Sequence, residues 1–241
     1  MSLERTTNPQ QAPTRRIASW HPATIGQWPG RVAAVIELWG CSFTCAGCRG
    51  ARVQPTEHQP SWTEIVSHIH NHGRMLDSVI VTGGEPLEDP DLPSLLAALS
   101  ELGLDVLFET NGSRPDVLSY LLAEDLVDGV ALDVKAVPAR YRQVSPERDM
   151  AARVAECADM LIASGVSHEF RTVLRPGLVT PEDVAPIART LQGGQLYALS
   201  RGCECDLTQG SGFDDAALRA AVGAAERFLP VTVRDLGRGV A

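Results

Sequence analysis

The segment Cys41-Ser-Phe-Thr-Cys45-Ala-Gly-Cys48 places three thiols within eight residues, directly after the apolar run Val32 to Trp39. That run is rich in β-branched and apolar residues and predicts a strand. The thiols therefore fall on a loop at a strand's C-terminal end, where α/β folds gather their chemistry. So tight a spacing reads as a ligand set rather than as packing. Its number limits what it can hold. Structural zinc takes four N or S ligands, and ordinary iron–sulfur clusters take four thiolates. Three cysteines leave one metal position without a protein ligand, and an open position separates a catalytic centre from a structural one. The competing readings are a zinc site completed by a distant His or Cys, and three buried structural thiols.

Beyond the thiols, strand and helix signals alternate. Ser61-x-x-Glu64 has the form of a capping box opening a helix through about His72. Ser78 to Val81 reads as a strand ending in Thr82-Gly83-Gly84, and Asp89 with Pro90 is expected to start a helix through Leu102. Leu104 to Phe108 reads as a strand, Pro115 to Leu122 as a helix and Gly129 to Leu132 as a strand. A helix from Met150 to Ser164, a strand from Ser167 to Leu174 and a helix from the Thr180-Pro181 cap to about Leu191 follow. The chain closes with a strand from Gln195 to Leu199, a helix from Asp214 to Phe228 and a short strand from Val231 to Val233. Six β/α pairs argue for a mostly parallel sheet, because parallel strands need helical crossovers. The count alone leaves an open sheet and a barrel as alternatives. Residues 1–30, interrupted by Pro9, Pro13, Pro22 and Pro29, read as a partly irregular leader whose second half packs on the body through Trp20 and Trp28. Residues 31–241 read as one catalytic domain.

At 241 residues and 44% hydrophobic content the chain can bury a sizeable core. No apolar run approaches the ~20 residues needed to cross a bilayer, and no signal-peptide pattern opens the sequence, so a cytoplasmic location is expected. In that compartment six cysteines point to metal or redox chemistry rather than disulfides. A formal charge of −9 disfavours a nucleic-acid partner, which requires a basic face.

Polar motifs recur where the expected strands end. Gly83 and Gly84 permit close backbone approach to a ligand, and Glu85 is an acceptor suited to an ammonium group. Thr110-Asn111-Gly112 reads either as turn chemistry or as a ligand-binding loop. Asp133 and Lys135 flank one residue and face the same side of an extended segment, where an ion pair is the plain reading. Glu169 and Arg171 share a strand face, where they either pair with each other or leave Arg171 for a ligand. His68 and His72 share a helical face, for which a solvated polar surface is the simpler reading. Cys203-Glu-Cys205 reads as exposed thiols, a reductant relay or an auxiliary metal site.

The C-x3-C-x2-C loop, with Gly-Gly-Glu-Pro about forty residues later, resembles the radical S-adenosylmethionine superfamily. The resemblance implies a partial (β/α)6 TIM-type barrel and a [4Fe–4S] cluster on Cys41, Cys45 and Cys48. The open iron would take S-adenosylmethionine, whose reductive cleavage yields a 5′-deoxyadenosyl radical. It further implies that Gly47, Gly83, Gly84, Glu85, Thr110, Asn111, Asp133, Lys135 and Arg171 contribute to the cofactor site. Gly47 stands where many activases of this superfamily carry an aromatic residue. The segments Phe108 to Leu118, Leu126 to Lys135 and Glu169 to Gly177 are similar to activating proteins of anaerobic ribonucleoside-triphosphate reductases. That similarity implies a glycyl-radical enzyme as partner and a flavodoxin- or ferredoxin-type protein as reductant. A radical enzyme acting on a small molecule, such as a 7-carboxy-7-deazaguanine synthase, remains an alternative, as does a non-catalytic metal or electron-transfer protein.

Overall fold

A computed structural model describes residues 13, 14, 16–45, 48, 54, 59–73, 75–201 and 215–234. Eight strands form one sheet in sequential order, β1 Ile17–Thr24, β2 Ala33–Leu38, β3 Ser78–Gly83, β4 Asp105–Thr110, β5 Gly129–Asp133, β6 Ser167–Leu174, β7 Tyr197–Arg201 and β8 Val231–Val233. From β2 onward every pairing is parallel. Each step is bridged by a helix: α1 Trp62–His72, α2 Leu92–Ser100, α3 Pro115–Ala123, α4 Met150–Ser164, α5 Pro181–Thr190 and α6 Asp215–Ala225. This is a partial barrel with β1 and β8 at its edges, as expected from the resemblance.

Local chemistry places the helices where the sequence signals stand. Ser61 and Glu64 form both bonds of the capping box before α1, and Thr180 with Asp183 does the same before α5. The helix expected from Asp89 starts later. Pro86–Glu88 makes a 3-10 turn, and α2 begins at Leu92. Asp89 is committed elsewhere, since its buried carboxylate accepts from the Thr14 hydroxyl at 2.6 Å and from the Asp91 N–H at 3.0 Å.

β1 is an addition to the sequence reading, which treated its residues as partly irregular. It runs antiparallel to β2 as an edge strand, with an irregular register between His21 and Thr24. Pro22 lies in that interval. Proline removes a ladder donor and is tolerated at an edge or a bulge, so it interrupts the pairing without ending the strand.

Alternation along the strands separates two faces. Ala34, Ile36, Leu38, Val79, Val81, Val106, Phe108, Val130, Leu132 and Phe170 pack in the large apolar cluster with the helices. The other face carries a small separate cluster, Ala33, Val35, Ile80 and Leu107, against which Trp28 packs. Gly129 makes room for it, since a methyl there would meet Leu107 and the Trp28 ring at 2.9 Å. The β1–β2 connection thus fills the lower barrel interior.

Candidate functional site

Three loops at the C-terminal ends of β2, β3 and β4 are tied into one unit. Gly84 N donates to Leu38 O at 2.7 Å and Glu85 N to Gly40 O at 2.8 Å, so the loop after β3 is joined to the chain entering the cysteine loop. This accounts for both glycines. Gly83 has φ +123°, and a methyl on it would lie 2.1 Å from Leu38 O. One on Gly84 would lie 1.9 Å from Gly40 O. The close approach that the glycines permit is therefore backbone to backbone, holding the Gly-Gly-Glu loop against the thiol loop.

Glu85 joins the same unit to the loop after β4. Its buried carboxylate accepts from the Thr110 hydroxyl at 2.6 Å, from Asn111 N at 2.6 Å and from Leu87 N at 3.0 Å. Thr110 Oγ1 also accepts from Gly112 N at 3.0 Å, and Gly112 adopts φ +74°. Turn chemistry and site assembly are thus one feature here. Asn111 Nδ2 then reaches Cys41 Sγ at 3.7 Å.

Burial raises the Glu85 carboxyl to about 7 from an ordinary 4.5, against the three bonds that favour its ionised form. An acid whose folded value is raised contributes stability below its unfolded value and loses it as pH rises through the folded one. Between pH 4.5 and 7 the cluster-free protein should therefore lose roughly 3 kcal/mol of stability relative to Glu85→Gln. Urea titrations of both proteins across that window measure the difference. A constant difference would refute the assignment.

All three cysteines are partly exposed free thiols. Cys41 accepts from Phe43 N at 3.4 Å, yet burial pushes its thiol up to about 12. Burial also raises Cys45, while the neighbouring Lys135 ammonium acts to lower it. Thiols so placed ionise readily only beside added positive charge. Among the described residues no three His, Cys, Asp or Glu side chains converge to share a single metal ion. Three soft thiolates are the donor chemistry that an iron–sulfur cluster takes.

Lys135 Nζ lies 2.5 Å from Asp133 Oδ2. Burial opposes the ammonium charge, but Asp133, with Cys45 and Cys48, outweighs it and raises Lys135 above its ordinary range. The pair stands at the end of β5, beside the thiol loop.

Arg171 is drawn into a network that sequence reasoning foresaw only in its Glu169 half. Its Nε donates to Glu169, NH1 to Glu109 Oε1 at 2.6 Å and NH2 to Gln27 O at 3.3 Å, and its guanidinium lies 5.8 Å from the Trp28 ring centroid. Glu109 also accepts from Thr82 Oγ1 at 2.7 Å. Arg234, just past β8, grips Glu169 with two bonds of 2.5 Å. Glu109 was findable from alternation, because it shares the inward face with Leu107. Arg234 carried no such signal. Gly47, Cys203 and Cys205 lie outside the described residues. His68 and His72 stack at 4.2 Å, with His68 edge-on to Trp20 at 5.7 Å, far in role from the thiol loop.

Comparison with known proteins gives the family of the chain. Residues 39–191, well over half of the chain, match the Radical SAM superfamily. A protein of Methanocaldococcus jannaschii, named provisionally as a glycyl-radical enzyme activating enzyme, is 30% identical over 181 residues, 72% of this chain and 74% of its own. The 7-carboxy-7-deazaguanine synthase of Rhodospirillum rubrum is 27% identical over 177 residues, covering 73% of this chain and 64% of that protein. That of Synechocystis is 37% identical over 92 residues, 37% of this chain and 43% of that one. Streptococcus suis SuiB bound to its precursor peptide SuiA shares the fold, with a TM-score of 0.63 and 15% identity over 82% of this chain and 47% of SuiB. The chain thus spans less than two thirds of the synthases and about half of SuiB. With the family matched across the thiol loop and the sheet that carries it, the chain belongs to the radical SAM superfamily, whose enzymes work with a [4Fe–4S] cluster and S-adenosylmethionine.

Proposed function

We propose that this radical SAM enzyme is a glycyl-radical enzyme activating enzyme serving an anaerobic ribonucleoside-triphosphate reductase. In this reading Cys41, Cys45 and Cys48 hold the cluster, and the loops after β3, β4 and β5 hold S-adenosylmethionine. The observation that supports it most is the fusion of the thiol, Gly-Gly-Glu and Thr-Asn-Gly loops through Glu85 and Asn111. Bound together, cluster and cofactor would supply hydrogen-atom abstraction, a step outside the reach of closed-shell side chains. The chain's own residues bind, orient and exclude water. Glu85 keeps its carboxylate within the loop unit, where it can neutralise an ammonium. Asp133 and Lys135 offer one charge of each sign beside the thiols. Trp28 with Val35, Ile80 and Leu107 seals the lower barrel against water. The relative named for glycyl-radical activation, aligned over most of both chains, favours this branch.

A second reading is a 7-carboxy-7-deazaguanine synthase-like enzyme. It is favoured by the aligned synthases and by the charged inward layer of Glu109, Glu169 and Arg171, which suits a small polar molecule. One experiment separates the two. Anaerobically reconstituted protein, a candidate reductase, S-adenosylmethionine and a flavodoxin-type reductant should give a glycyl doublet by electron paramagnetic resonance. Formation of 5′-deoxyadenosine that depends on an added small-molecule substrate, and no doublet with any reductase, would overturn the first reading in favour of the second.

A further inference from the structure

We infer that Asn111 tunes the reduction potential of the cluster by donating a hydrogen bond from its side-chain amide to the Cys41 sulfur. The inference rests on the reading of Cys41 as a cluster ligand. Its basis is a contact that turn chemistry does not explain. In a turn the Asn oxygen accepts from a backbone N–H two residues on, and Asn111 Oδ1 does accept from Ser113 N at 2.9 Å. That bond fixes which end of the amide is which. The remaining end, Nδ2, must then face Cys41 Sγ, 3.7 Å away.

The placement is held from several directions. Asn111 is 4% exposed, and its backbone N–H is anchored on Glu85 Oε2 at 2.6 Å. Phe43 N supplies a second donor to the same sulfur at 3.4 Å. Cys41 therefore receives two N–H groups, one from its own loop and one from a loop seventy residues away. Hydrogen bonds to ligand sulfurs are among the factors that set iron–sulfur potentials. A donor stabilises the more electron-rich, reduced cluster and so raises the potential. Partners one step beyond the ligands commonly tune a metal in this way.

Two variants test the inference. Asn111→Asp keeps the oxygen that serves Ser113 N and replaces the donor with an acceptor. Asn111→Leu keeps the volume and removes both polar groups. The readout is a potentiometric titration of the reconstituted cluster, followed by electron paramagnetic resonance without S-adenosylmethionine. One electron passes from the titrant to the cluster, taking it from the 2+ to the 1+ state with no proton moved and no bond broken. For Asn111→Leu the equilibrium should shift about tenfold toward the oxidised state, ~59 mV for one electron. Asn111→Asp should shift it further in the same direction. The Fe–S(Cys) stretching bands in resonance Raman spectra should move in both. An unchanged potential in both variants with full iron content overturns the inference. Loss of iron in both overturns it as well, because Asn111 would then hold the cluster rather than tune it. Failure of the underlying reading looks different: Cys41→Ala would then retain a complete cluster whatever the Asn111 variants do.

Discussion

Cys45→Ala should give a folded chain that takes up no intact [4Fe–4S] cluster and forms 5′-deoxyadenosine only at background level. The hydrogen bonds that hold the described part of the thiol loop do not use the Cys45 sulfur. Thr44 N donates to Val144 O at 2.8 Å and Cys48 N to Cys45 O at 3.2 Å, while Ser42 N donates to Glu88 Oε1 at 3.1 Å. These bonds survive the substitution, so the circular dichroism spectrum and the urea midpoint of the cluster-free protein should stay near wild type. Iron and sulfide analysis after anaerobic reconstitution measures the loss. Cys157 supplies the control. It is fully buried in α4, with its thiol directed at Gly112 O at 3.4 Å, whereas the three loop thiols are partly exposed. Cys157→Ala should keep full iron content. If Cys45→Ala retains the cluster, or Cys157→Ala loses it, the ligand set is not the trio on the loop.

The parts of this molecule legible in the sequence are those where local chemistry and tertiary packing agree. Helix α4 and strands β6 and β8 lie where periodicity and β-branched runs put them, Met150–Ser164, Ser167–Leu174 and Val231–Val233. The Ser61 and Thr180 caps likewise needed only neighbours in sequence. β1 was hidden because edge strands tolerate what central strands do not. Pro22 looks like a break, yet at an edge it produces only a shift of register. Asp89 failed as a helix start because a distant residue, Thr14, claims its carboxylate. The site divides in the same way. Strand-end positions and the family resemblance grouped the thiols, the glycine loop and Thr110-Asn111-Gly112, whereas the uses of the glycines and of Arg171 depended on partners far along the chain. No local pattern links Arg234 to Glu169.

That last pairing yields the largest expected effect on stability. Glu169 is 4% exposed and serves two guanidinium groups, Arg171 Nε and the fork of Arg234. Glu169→Leu leaves Arg171 with Glu109 and leaves Arg234 without its carboxylate. Removing one partner of a buried ion pair costs roughly 3–5 kcal/mol, because the charge left behind remains desolvated. At ~2–4 °C per kcal/mol for a chain of this size, the melting temperature should fall by about 10 °C. Adding Arg234→Met to Glu169→Leu removes the stranded charge and leaves Arg171 paired with Glu109. The double variant should therefore be more stable than Glu169→Leu alone, a sign that lost packing would not produce. The single variant should also loosen the C-terminal edge first. β8 is three residues long, and its tie to β7 is extended by the Arg234 N to Leu199 O bond of 2.8 Å. Hydrogen exchange at β8 should thus accelerate more than at β3 or β4. Asp133 pairs in register with Arg171 on the neighbouring strand, so a displaced guanidinium would also disturb the Asp133–Lys135 pair beside the thiol loop. Weaker S-adenosylmethionine binding should accompany the lower melting temperature, and the double variant should recover part of both.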